Sequence, residues 1–523
     1  MTVRAGGSAV TYKGLRSGTI GLLGNVIIAV SAVAPAYSLA ATLGAVVAVA
    51  GAKTPALLIV GFIPMMLIAF AFRELANETP DCGSTFTWVT RAFGPWVGWL
   101  AGWGLVIASM VAIGNSAQLT AMYLLDALHL NKVQLGGFHL DNVSQSLPIQ
   151  ITVGGVAVAI LIVLCLWGIE ATERTQAVLL ALQLAMLLLV SVVALVKVFT
   201  HHAGPQAVTP QWGWLSPTGL SATALASGSI LCVFAYWGWD TGLSLSEETK
   251  NPRKNPGKAA VLATVVILGT YVLVSLAIQA FAGFGTSGIG LNNPANANDT
   301  LSILADPVVG KGLAVVLLLA ISSSSLAAVV SCLAPTARTT LAMAVYRALP
   351  RRFARVHHRY RTPWFGTIVI GVGGFSIYVV MTLLSRNSVP DMVSSLGLVI
   401  AFYYAMTAYA CVWTYRHTLL RSARHFWLRG ALPFVGAVAM TWAFIKSAVD
   451  MYSPDYGQTH VGSVGGVFIM GMGLLLIGVP LAALCTITGR GFFSGRTLNA
   501  STEITVLDVG GQVPTIVGGS AHR

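Results

Sequence analysis

Near its amino end the chain reads Asn25-Val-Ile-Ile-Ala-Val-Ser31-Ala-Val-Ala-Pro35-Ala-Tyr37, and this segment sets the expected architecture. It lies inside a charge-free run, residues 17–52, that exceeds the roughly 20 residues a helix needs to cross a membrane. Pro35 lacks an amide hydrogen and disfavours helical geometry at the residue before it. Because proline is favoured at the first position of a helix, we expect Pro35 to begin a second half-helix after an unwound segment, residues 32–34. A plain proline kink is the alternative interpretation.

The rest of the chain is comparably apolar. Of its 523 residues, 55% are hydrophobic and 9% are charged, whereas a soluble domain carries about 25% charged residues. These proportions exclude an ordinary soluble protein. Only helices and closed barrels satisfy their backbone hydrogen bonds inside a bilayer, and the long apolar runs do not alternate as barrel strands would. The sequence therefore predicts an all-α polytopic membrane protein embedded in the lipid bilayer.

About twelve transmembrane helices are expected from the lengths of the apolar runs. They lie near residues 20–46, 55–74, 93–124, 149–168, 175–198, 221–246, 259–283, 309–344, 364–384, 392–415, 430–449 and 463–487. Cytoplasmic loops retain Lys and Arg, and with the amino terminus inside only six of the 30 such residues fall outside: Lys53, Lys132, Lys197, Lys311, Arg386 and Lys446. We therefore predict a multi-pass plasma-membrane protein with both termini cytoplasmic. This topology and anionic lipid headgroups account for the net charge of +13, so nucleic acid is not an expected partner.

A second irregular segment lies in the sixth predicted helix, which contains Phe234-Ala-Tyr236-Trp237-Gly238-Trp239-Asp240. A carboxylate at membrane depth is costly and usually marks function. Breaks in the first and sixth helices occupy corresponding places in two five-helix halves, which is the pattern of a five-plus-five inverted repeat with two further helices. The expected organisation is a cytoplasmic tail, a first repeat, a second repeat, two added helices and a second cytoplasmic tail, at residues 1–19, 20–200, 201–416, 417–488 and 489–523.

The two breaks predict a substrate site. Free amides and the positive dipole end of a half-helix attract an anion, so the amides of residues 36–38 are expected to hold a carboxylate. Unwound carbonyls at residues 234–236 suit an ammonium group, and together these groups would recognise an α-amino acid. The predicted site comprises Ser31, Ala32, Val33, Ala34, Ala36, Tyr37, Ser38, Phe234, Ala235, Tyr236, Trp237, Gly238 and Asp240.

Two side-chain roles at the second break stay open. Asp240 is either the N-cap of the second half-helix or a substrate contact. Trp237 and Trp239 either shape the pocket or pack against neighbouring helices, and two positions apart they cannot both face one way. No catalytic or metal motif such as H-E-x-x-H or G-x-S-x-G occurs, so an enzyme is not predicted.

Three blocks of residues resemble the amino acid–polyamine–organocation superfamily of permeases. Residues 73–94 follow its ELA…P…G…Y…W…RA.G pattern with Phe86 in place of Tyr, residues 234–256 are similar to its FAY.GFD…EE.KNP…P segment, and residues 338–363 resemble the end of its eighth helix. The resemblance implies the five-plus-five fold, alternating access, and a substrate site at the two breaks. The predicted function is a secondary active transporter of amino acids. A transporter of polyamines or other organic amines, or a non-transporting amino acid sensor, are the alternatives.

The coupling ion is less constrained. Proton-coupled members of the superfamily carry a lysine in the fifth helix, and the matching position here is Gln183, which cannot titrate. The hydroxyls of Ser322, Ser323, Ser324 and Ser325 are candidate sodium ligands, or else small residues that let helices pack closely. No cofactor is predicted beyond a co-transported H⁺ or Na⁺, and the sequence does not distinguish a monomer from a dimer.

A pair of acids follows the second break. Glu247 and Glu248 lie where a helix carboxyl end disfavours negative charge, so basic partners are needed. Arg253, Lys254 and the basic cluster at residues 338–361 are the candidates. The hypothesis is a cytoplasmic gate that opens during the transport cycle, and the alternative is a static clamp.

Overall fold

The computed structural model describes residues 13–128, 143, 146–293, 296, 300–384, 388–457 and 459–504, together with the strand residues 2–5, 8–11, 132–135 and 138–141. Arg386 and the part of the predicted carboxy-terminal tail after residue 504 lie outside the described residues, as do residues 1, 6, 7 and 12 of the amino-terminal tail. Across the described parts of the chain, strands occur in three short antiparallel hairpins: Thr2–Ala5 with Ser8–Thr11, Lys132–Leu135 with Phe138–Asp141, and His460–Val461 with Val464–Gly465.

Helices form the remainder of the architecture. The first eight are α1 Leu22–Val33, α2 Pro35–Ala50, α3 Thr54–Glu78, α4 Thr85–Phe93, α5 Pro95–Ala127, α6 Leu147–Leu166, α7 Ile169–Phe199 and α8 Ala222–Ala235. The second eight are α9 Asn255–Ala282, α10 Thr300–Val345, α11 Trp364–Leu384, α12 Ser388–Tyr415, α13 Ala423–His425, α14 Leu432–Tyr452, α15 Gly466–Leu476 and α16 Gly478–Phe493. Each predicted transmembrane segment coincides with one or two of these helices, and α10 is kinked at Gly310.

Ten helical runs in the described chain are long and apolar enough to cross a membrane. The first, Leu22–Glu78, has 57 residues, which at about 1.5 Å per residue is longer than two crossings of a hydrocarbon layer of about 30 Å. The predicted sixth span is not among the ten because α8 ends after 14 residues. The prediction of an all-α multi-pass membrane protein is confirmed. The number twelve, the inverted repeat and the domain boundaries stay predictions.

One loop of the sequence prediction is partly helical. Thr85–Phe93 forms α4 between Ser84 and Gly94, which both have positive φ angles, 42° and 91°. Phe86 and Trp88 on this helix are fully buried, and the indole of Trp88 donates to the carbonyl of Thr79 at 2.9 Å. Burial of these aromatic residues stabilises a short helix in a segment that was predicted only as a loop between two transmembrane helices.

The interior of the bundle is built around α5 and α10, which pack together over much of their lengths, with α7, α11 and α12 against them. Small residues allow the close approach: a Cβ on Gly154 of α6 would lie 2.9 Å from the carbonyl oxygen of Ala117 on α5. The outward faces of α6 and α7 carry large exposed apolar side chains such as Ile160 and Val178. Such faces are expected where lipid is the surrounding solvent.

A buried ion pair joins α3 to the start of α14. Glu74 on α3 has a side chain that is 4% exposed, and it accepts hydrogen bonds from Arg429 Nε at 2.8 Å and Arg73 Nη2 at 3.1 Å. Arg429 lies in a π-helical turn, Phe426–Ala431, and stacks 4.2 Å from the ring of Tyr415. The π turn re-aims one side chain inward, which is a common use of this geometry.

Replacing Arg429 with Met is expected to lower the free energy of unfolding by about 2 kcal/mol, because Glu74 would stay buried without its main cation while Arg429 itself is partly exposed. Thermal unfolding in detergent measures this. The matched control is Arg424→Met, since Arg424 is exposed nearby, and it should leave the melting temperature unchanged. Adding Glu74→Gln to Arg429→Met should recover part of the loss, and failure to do so would contradict the assignment of the loss to an unpaired carboxylate.

Candidate functional site

The first helix break is a single residue. Helix α1 ends at Val33, Ala34 adopts the left-handed conformation with φ 51° and ψ 68°, and α2 begins at Pro35. The amide of Ala34 still donates to the carbonyls of Val30 at 3.2 Å and Ser31 at 3.1 Å. The prediction that residues 32–34 are unwound is therefore wrong for residues 32 and 33, and only Ala34 leaves the helical conformation. The proline ring excludes helical geometry only at the preceding residue, and α1 keeps its hydrogen bonds up to that point.

The second break lies between α8 and a 3-10 helix, Trp239–Glu248. Beyond the end of α8, the amide of Tyr236 donates to Cys232 at 2.9 Å. Gly238 then has a φ of 119°, which L side chains rarely adopt. The predicted second half-helix therefore exists as a tighter 3-10 helix that begins after this glycine.

The two breaks touch each other through their backbones. A Cβ added at Gly238 would lie 2.7 Å from the carbonyl carbon and oxygen of Ala32 and 2.9 Å from the nitrogen of Val33. Only glycine fits both this contact and its φ angle. On the other side of the breaks, the ring of Tyr37 meets the ring of Phe234 edge to face, with centroids 6.1 Å apart.

Most backbone groups predicted to hold an anion already have partners. The amide of Ser38 donates to the carbonyl of Ala34 at 2.9 Å, and the amide of Tyr37 donates to Ser324 Oγ at 3.2 Å. The prediction that three amides are free is thus wrong for two of them. The amide of Ala36 has no hydrogen-bond partner recorded among the described residues.

The carbonyls at the second break are also partly occupied. The carbonyl of Phe234 accepts from the amide of Trp237 at 3.0 Å, and that of Ala235 accepts from Tyr271 Oη at 2.6 Å. The prediction of three free acceptors is wrong for these two. The carbonyl of Tyr236 accepts no hydrogen bond from any residue that the structure describes. A buried acceptor of this kind is unusual and suits a donor supplied from elsewhere.

A small closed cavity lies between the breaks. Its volume is about 10 Å³, which is close to what one water molecule needs. An α-amino acid is larger, so the surrounding helices must separate for one to enter. The cavity is lined by Ala32, Val33, Tyr37, Ser38, Ala112, Ser116, Phe234, Trp237, Ala328 and Cys332.

Six of the predicted site residues line this cavity and seven do not. The other seven are buried but do not line the cavity: Ser31, Ala34, Ala36, Ala235, Tyr236, Gly238 and Asp240. Four lining residues were not predicted from the sequence: Ala112 and Ser116 on α5, and Ala328 and Cys332 on α10. Small residues in apolar runs give no local signal of their own, because the same residues occur wherever membrane helices pack.

Asp240 is buried and bonded to two consecutive tyrosines. Its Oδ2 accepts from Tyr403 Oη at 3.1 Å, and its Oδ1 accepts from Tyr404 Oη at 2.9 Å. The N-cap position of the 3-10 helix belongs to Gly238, so the capping prediction is wrong. Trp237 Nε1 donates to Tyr403 Oη at 2.5 Å, which links the carboxylate to the cavity wall. The sequence feature that could have indicated these partners of Asp240 is the pair Tyr403-Tyr404 inside a charge-free run.

The two tryptophans at the second break face different ways. Trp237 lines the cavity, whereas Trp239 is fully buried between the rings of Phe72, at 5.2 Å, and Tyr404, at 5.3 Å. One therefore shapes the cavity and the other packs against α3 and α12.

A polar chain connects the start of α2 to α7. Ser324 Oγ accepts from the amide of Tyr37 and donates to Gln183 Oε1 at 2.5 Å. Gln183 is fully buried, and Asn115 Nδ2 donates to Tyr37 Oη at 2.9 Å. Helices α5 and α10 thus bind the beginning of α2 through uncharged side chains, and α7 is connected to it through Ser324.

The other three serines of the α10 run bind backbone carbonyls. Ser322 donates to Thr120 on α5 at 3.2 Å, whereas Ser323 and Ser325 donate within their own helix. This geometry fits small residues at a close helix contact. A sodium site at the run stays a prediction.

A cluster of five residues closes one end of the bundle, and we call it the Lys13 cluster: Lys13, Asp81, Cys82, Glu247 and Tyr346. Lys13 Nζ lies 2.5 Å from Asp81 Oδ2 and 2.5 Å from Glu247 Oε1. The amide of Cys82 donates to Glu247 Oε1 at 3.0 Å, and Tyr346 Oη donates to Asp81 Oδ2 at 2.8 Å. Ligand atoms of Asp81, Cys82 and Glu247 lie within 4.8 Å of one another, but the ammonium of Lys13 already lies between the two carboxylates.

The charges of this cluster stabilise each other. Burial alone would lower the pKa of Lys13, but the carboxylates of Asp81 and Glu247 raise this pKa well above its usual value. Burial would likewise raise the pKa of Asp81, yet Lys13 and the donors Thr87 and Gly83 lower it. Both groups are therefore ionised at neutral pH.

The partners of the two acids differ from the prediction in one case. Glu247 pairs with Lys13 and not with Arg253, Lys254 or the 338–361 cluster, because residues 13–20 fold back over this end of the bundle. Glu248 does pair within the predicted cluster, with Arg338, through Nε and through Nη2 at 3.0 Å. The carbonyl of Glu248 also accepts from the amides of Thr19 and Ile20 at 2.9 and 3.0 Å.

These features define a class: a multi-pass helical membrane protein with a closed cavity between two broken helices and charged pairs at one end. The profile of the amino acid permease family matches residues 20–495, and the chain belongs to that family. The resemblance seen in the sequence is confirmed. The family consists of transporters and not of enzymes, as the sequence predicted.

Named relatives are similar to the chain over more than half its length. The methylthioribose transporter of Bacillus subtilis is 26% identical over 327 residues, which is 59% of this chain and 64% of the relative. The vacuolar cationic amino acid transporter 4 of Arabidopsis thaliana is 26% identical over 64% of this chain and 53% of the relative. The branched-chain amino acid permease BcaP of Bacillus subtilis is 24% identical over 60% of this chain and 64% of the relative. The chain thus covers less than two thirds of each relative.

Substituting Gly238 by Ala is expected to lower the free energy of unfolding by about 3 kcal/mol, because the new Cβ meets the backbone of α1 and the φ angle is left-handed. Thermal unfolding in detergent measures the change. Gly269→Ala on α9 is the control, since a Cβ there meets nothing within 4 Å, and it should be neutral or slightly stabilising. Equal melting temperatures for the two variants would show that the breaks do not touch.

Proposed function

We propose that the protein is a secondary active transporter that moves an amino acid across the plasma membrane by alternating access. The observation that carries the proposal is the backbone contact of Gly238 with Ala32 and Val33, which brings both helix breaks to one cavity. A site formed by the ends of helical segments at a helix crossing is typical of transporters with discontinuous helices. Family membership and the names of two of the relatives support an amino acid as substrate.

Fewer free backbone groups are available to bind substrate than the three amides and three carbonyls predicted from the sequence. A substrate carboxylate at the start of α2 would accept from the amide of Ala36 and would compete with Ser324 for the amide of Tyr37. A substrate ammonium would donate to the carbonyl of Tyr236. The aromatic rings of Phe234 and Trp237 on the cavity wall would contact the substrate side chain.

A second substrate class is favoured by one relative, which is named a methylthioribose transporter. Such a ligand has hydroxyl groups and no carboxylate. It would bind through the hydroxyls of Ser116 and Tyr37, which line the cavity, and would not need the Ala36 amide. Polyamines, other organic amines and amino acid sensing without transport are the remaining alternatives.

A thermal-shift screen of the purified chain is expected to show stabilisation by one or more of the twenty standard amino acids, and not by putrescine, spermidine or methylthioribose. A ligand at a hundredfold excess over its dissociation constant stabilises the native state by about 2.7 kcal/mol. Ala328→Leu should remove the shift by filling the cavity, whereas Ala181→Leu on the exposed face of α7 should keep it.

Uptake of the responding amino acid into proteoliposomes then separates transport from sensing. Saturable accumulation or counterflow supports a transporter. Stabilisation without any flux would identify a sensor, and a response to polyamines alone would contradict the carboxylate site.

The Lys13 cluster and the Glu248–Arg338 pair would form the gate at the predicted cytoplasmic end. The Lys13 cluster joins residues 13–20, the loop before α4 and the end of the 3-10 helix, and the Glu248–Arg338 pair joins the end of the 3-10 helix to α10. Opening the cavity toward this side requires these contacts to separate. With both termini cytoplasmic, the closed cluster would seal the cavity from the cytoplasm.

Lys13→Met is expected to speed modification of Cys82 by a maleimide at least about tenfold, because the buried Asp81 and the partly buried Glu247 lose their shared cation and the cluster opens more often. Burial raises the pKa of the Cys82 thiol, which keeps it unreactive while the cluster is closed. Labelling is measured in a Cys485→Ser background, since Cys485 is the partly exposed thiol among the six.

Arg16→Met is the matched control for this experiment. Arg16 pairs with Glu170 at 2.9 Å, but both side chains are exposed, at 62% and 45%. Its loss should leave the labelling of Cys82 unchanged. Unchanged labelling in Lys13→Met protein that still transports would assign the cluster to a static clamp.

A further inference from the structure

Asp240 is a buried carboxylate whose partners are all neutral. The residue is 4% exposed, and its two oxygens accept from the hydroxyls of Tyr403 and Tyr404. The other buried acids described above, Asp81, Glu248 and Glu74, each pair with Lys or Arg. A carboxylate without a countercharge is costly in an apolar interior, and binding one proton removes that cost.

The surroundings of Asp240 supply no competing charge. Within the described part of the chain, the titratable groups facing it are Tyr403 and Tyr404 on α12 and Cys332 on α10. Helices α1, α3, α9 and α10 also pack on the 3-10 helix, and among the described residues no charged side chain acts on Asp240. Protonation would therefore break no ion pair.

The carboxylate is connected to the cavity by a short hydrogen-bonded chain. Trp237 Nε1 donates to Tyr403 Oη, and Tyr403 Oη donates to Asp240 Oδ2. A protonated carboxyl becomes a donor, so a proton on Oδ2 would point at Tyr403 Oη, and Tyr403 would have to turn its own hydrogen away. Protonation of Asp240 would thus change the hydrogen bonds of Tyr403, which is the partner of Trp237 on the cavity wall.

We propose that Asp240 is the site that binds a co-transported proton, an inference that rests on the transport function proposed above. The carboxylate takes the proton from water on the side from which substrate enters. It releases the proton on the other side after substrate leaves, and the carboxyl O–H is the bond that forms and breaks. Substrate in the cavity shifts Trp237, and through Tyr403 it favours the protonated form.

A proton fits this site better than a sodium ion. Na⁺ needs several oxygen ligands. Both oxygens of Asp240 already accept hydrogen bonds, each from a tyrosine hydroxyl. A proton needs one oxygen and no further space.

The experiment compares driven uptake with exchange in proteoliposomes that contain the full chain. Vesicles with pyranine inside receive the twenty standard amino acids at an outside pH one unit below the inside pH. Wild type should show substrate-dependent proton entry and accumulation of a radiolabelled amino acid mixture approaching tenfold, which is the limit for one proton per substrate across one pH unit. Exchange of the same mixture at equal pH on both sides is measured in parallel.

Asp240→Asn should lose the accumulation and the proton entry, because a side-chain amide does not take up and release a proton near neutral pH. The control is Asp306→Asn, an exposed acid on α10, which should behave as wild type. Tyr404→Phe removes one donor to the carboxylate and should shift half-maximal uptake to higher pH, since proton binding becomes easier when the charged form loses a hydrogen bond.

Each outcome decides between the two proposals. Proton-driven accumulation by Asp240→Asn overturns the proton site. Wild-type exchange without proton entry also overturns it and leaves the transport proposal standing. Neither exchange nor uptake by wild type overturns the transport proposal itself. If Asp240→Asn does not fold, an unchanged pH profile in Tyr404→Phe overturns the proton site.

Discussion

The structure depends on one constraint, the hydrogen bonding of backbone groups at two broken helices inside an apolar bundle. A break removes helical partners from several amides and carbonyls, and lipid offers none in return. Here Tyr271 supplies a hydroxyl to the carbonyl of Ala235, and Ser324 accepts from the amide of Tyr37. Gly238 then lets the two breaks lie against each other without a side chain between them. The breaks are stable because α9 and α10 complete them.

Because protein side chains already bind most of the backbone groups at the breaks, a ligand would be recognised differently from the sequence prediction. A substrate would not meet bare peptide dipoles, because most of the groups at the breaks already have protein partners. It would exchange hydrogen bonds with Ser324 and meet the remaining amide of Ala36 and the carbonyl of Tyr236. Binding and separation of the helices are therefore linked, since the cavity of about 10 Å³ must grow while protein hydrogen bonds are replaced.

The sequence predicted the parts of this arrangement that depend on local chemistry. Pro35 and Gly238 mark both breaks because proline and glycine act on their own backbone, and the apolar runs located every long helix. The partners were not predictable in the same way. Lys13 is 234 residues from Glu247, and Tyr403 is 163 residues from Asp240, so both pairings exist only in the folded bundle.

Site predictions failed for a related reason. Counting free amides and carbonyls from a helix break assumes that nothing else reaches them, but side chains such as Tyr271 and Ser324 arrive from other helices. The capping role for Asp240 failed because Gly238 took that position, and tertiary hydrogen bonds to tyrosine prevailed over the local one. Local rules therefore located the two helix breaks, whereas tertiary contacts determined which of their backbone atoms are available.

The buried acids divide into two groups with opposite responses to pH. In the Lys13 cluster the pKa of Asp81 is lowered, so its contribution to stability is complete above the ordinary carboxyl range and is lost only when pH falls through the lowered value. The pKa of Lys13 is raised, so its contribution is lost only when pH rises through a value above the usual lysine range. Lys13 and Asp81 thus keep their charges throughout the neutral range. Asp240 has hydrogen bonds to neutral hydroxyls and no ion pair, so nothing comparable holds it in the charged form. The site proposed for a co-transported proton therefore lies at the helix break, whereas the proposed gate at the end of the bundle would respond to movement of residues 13–20.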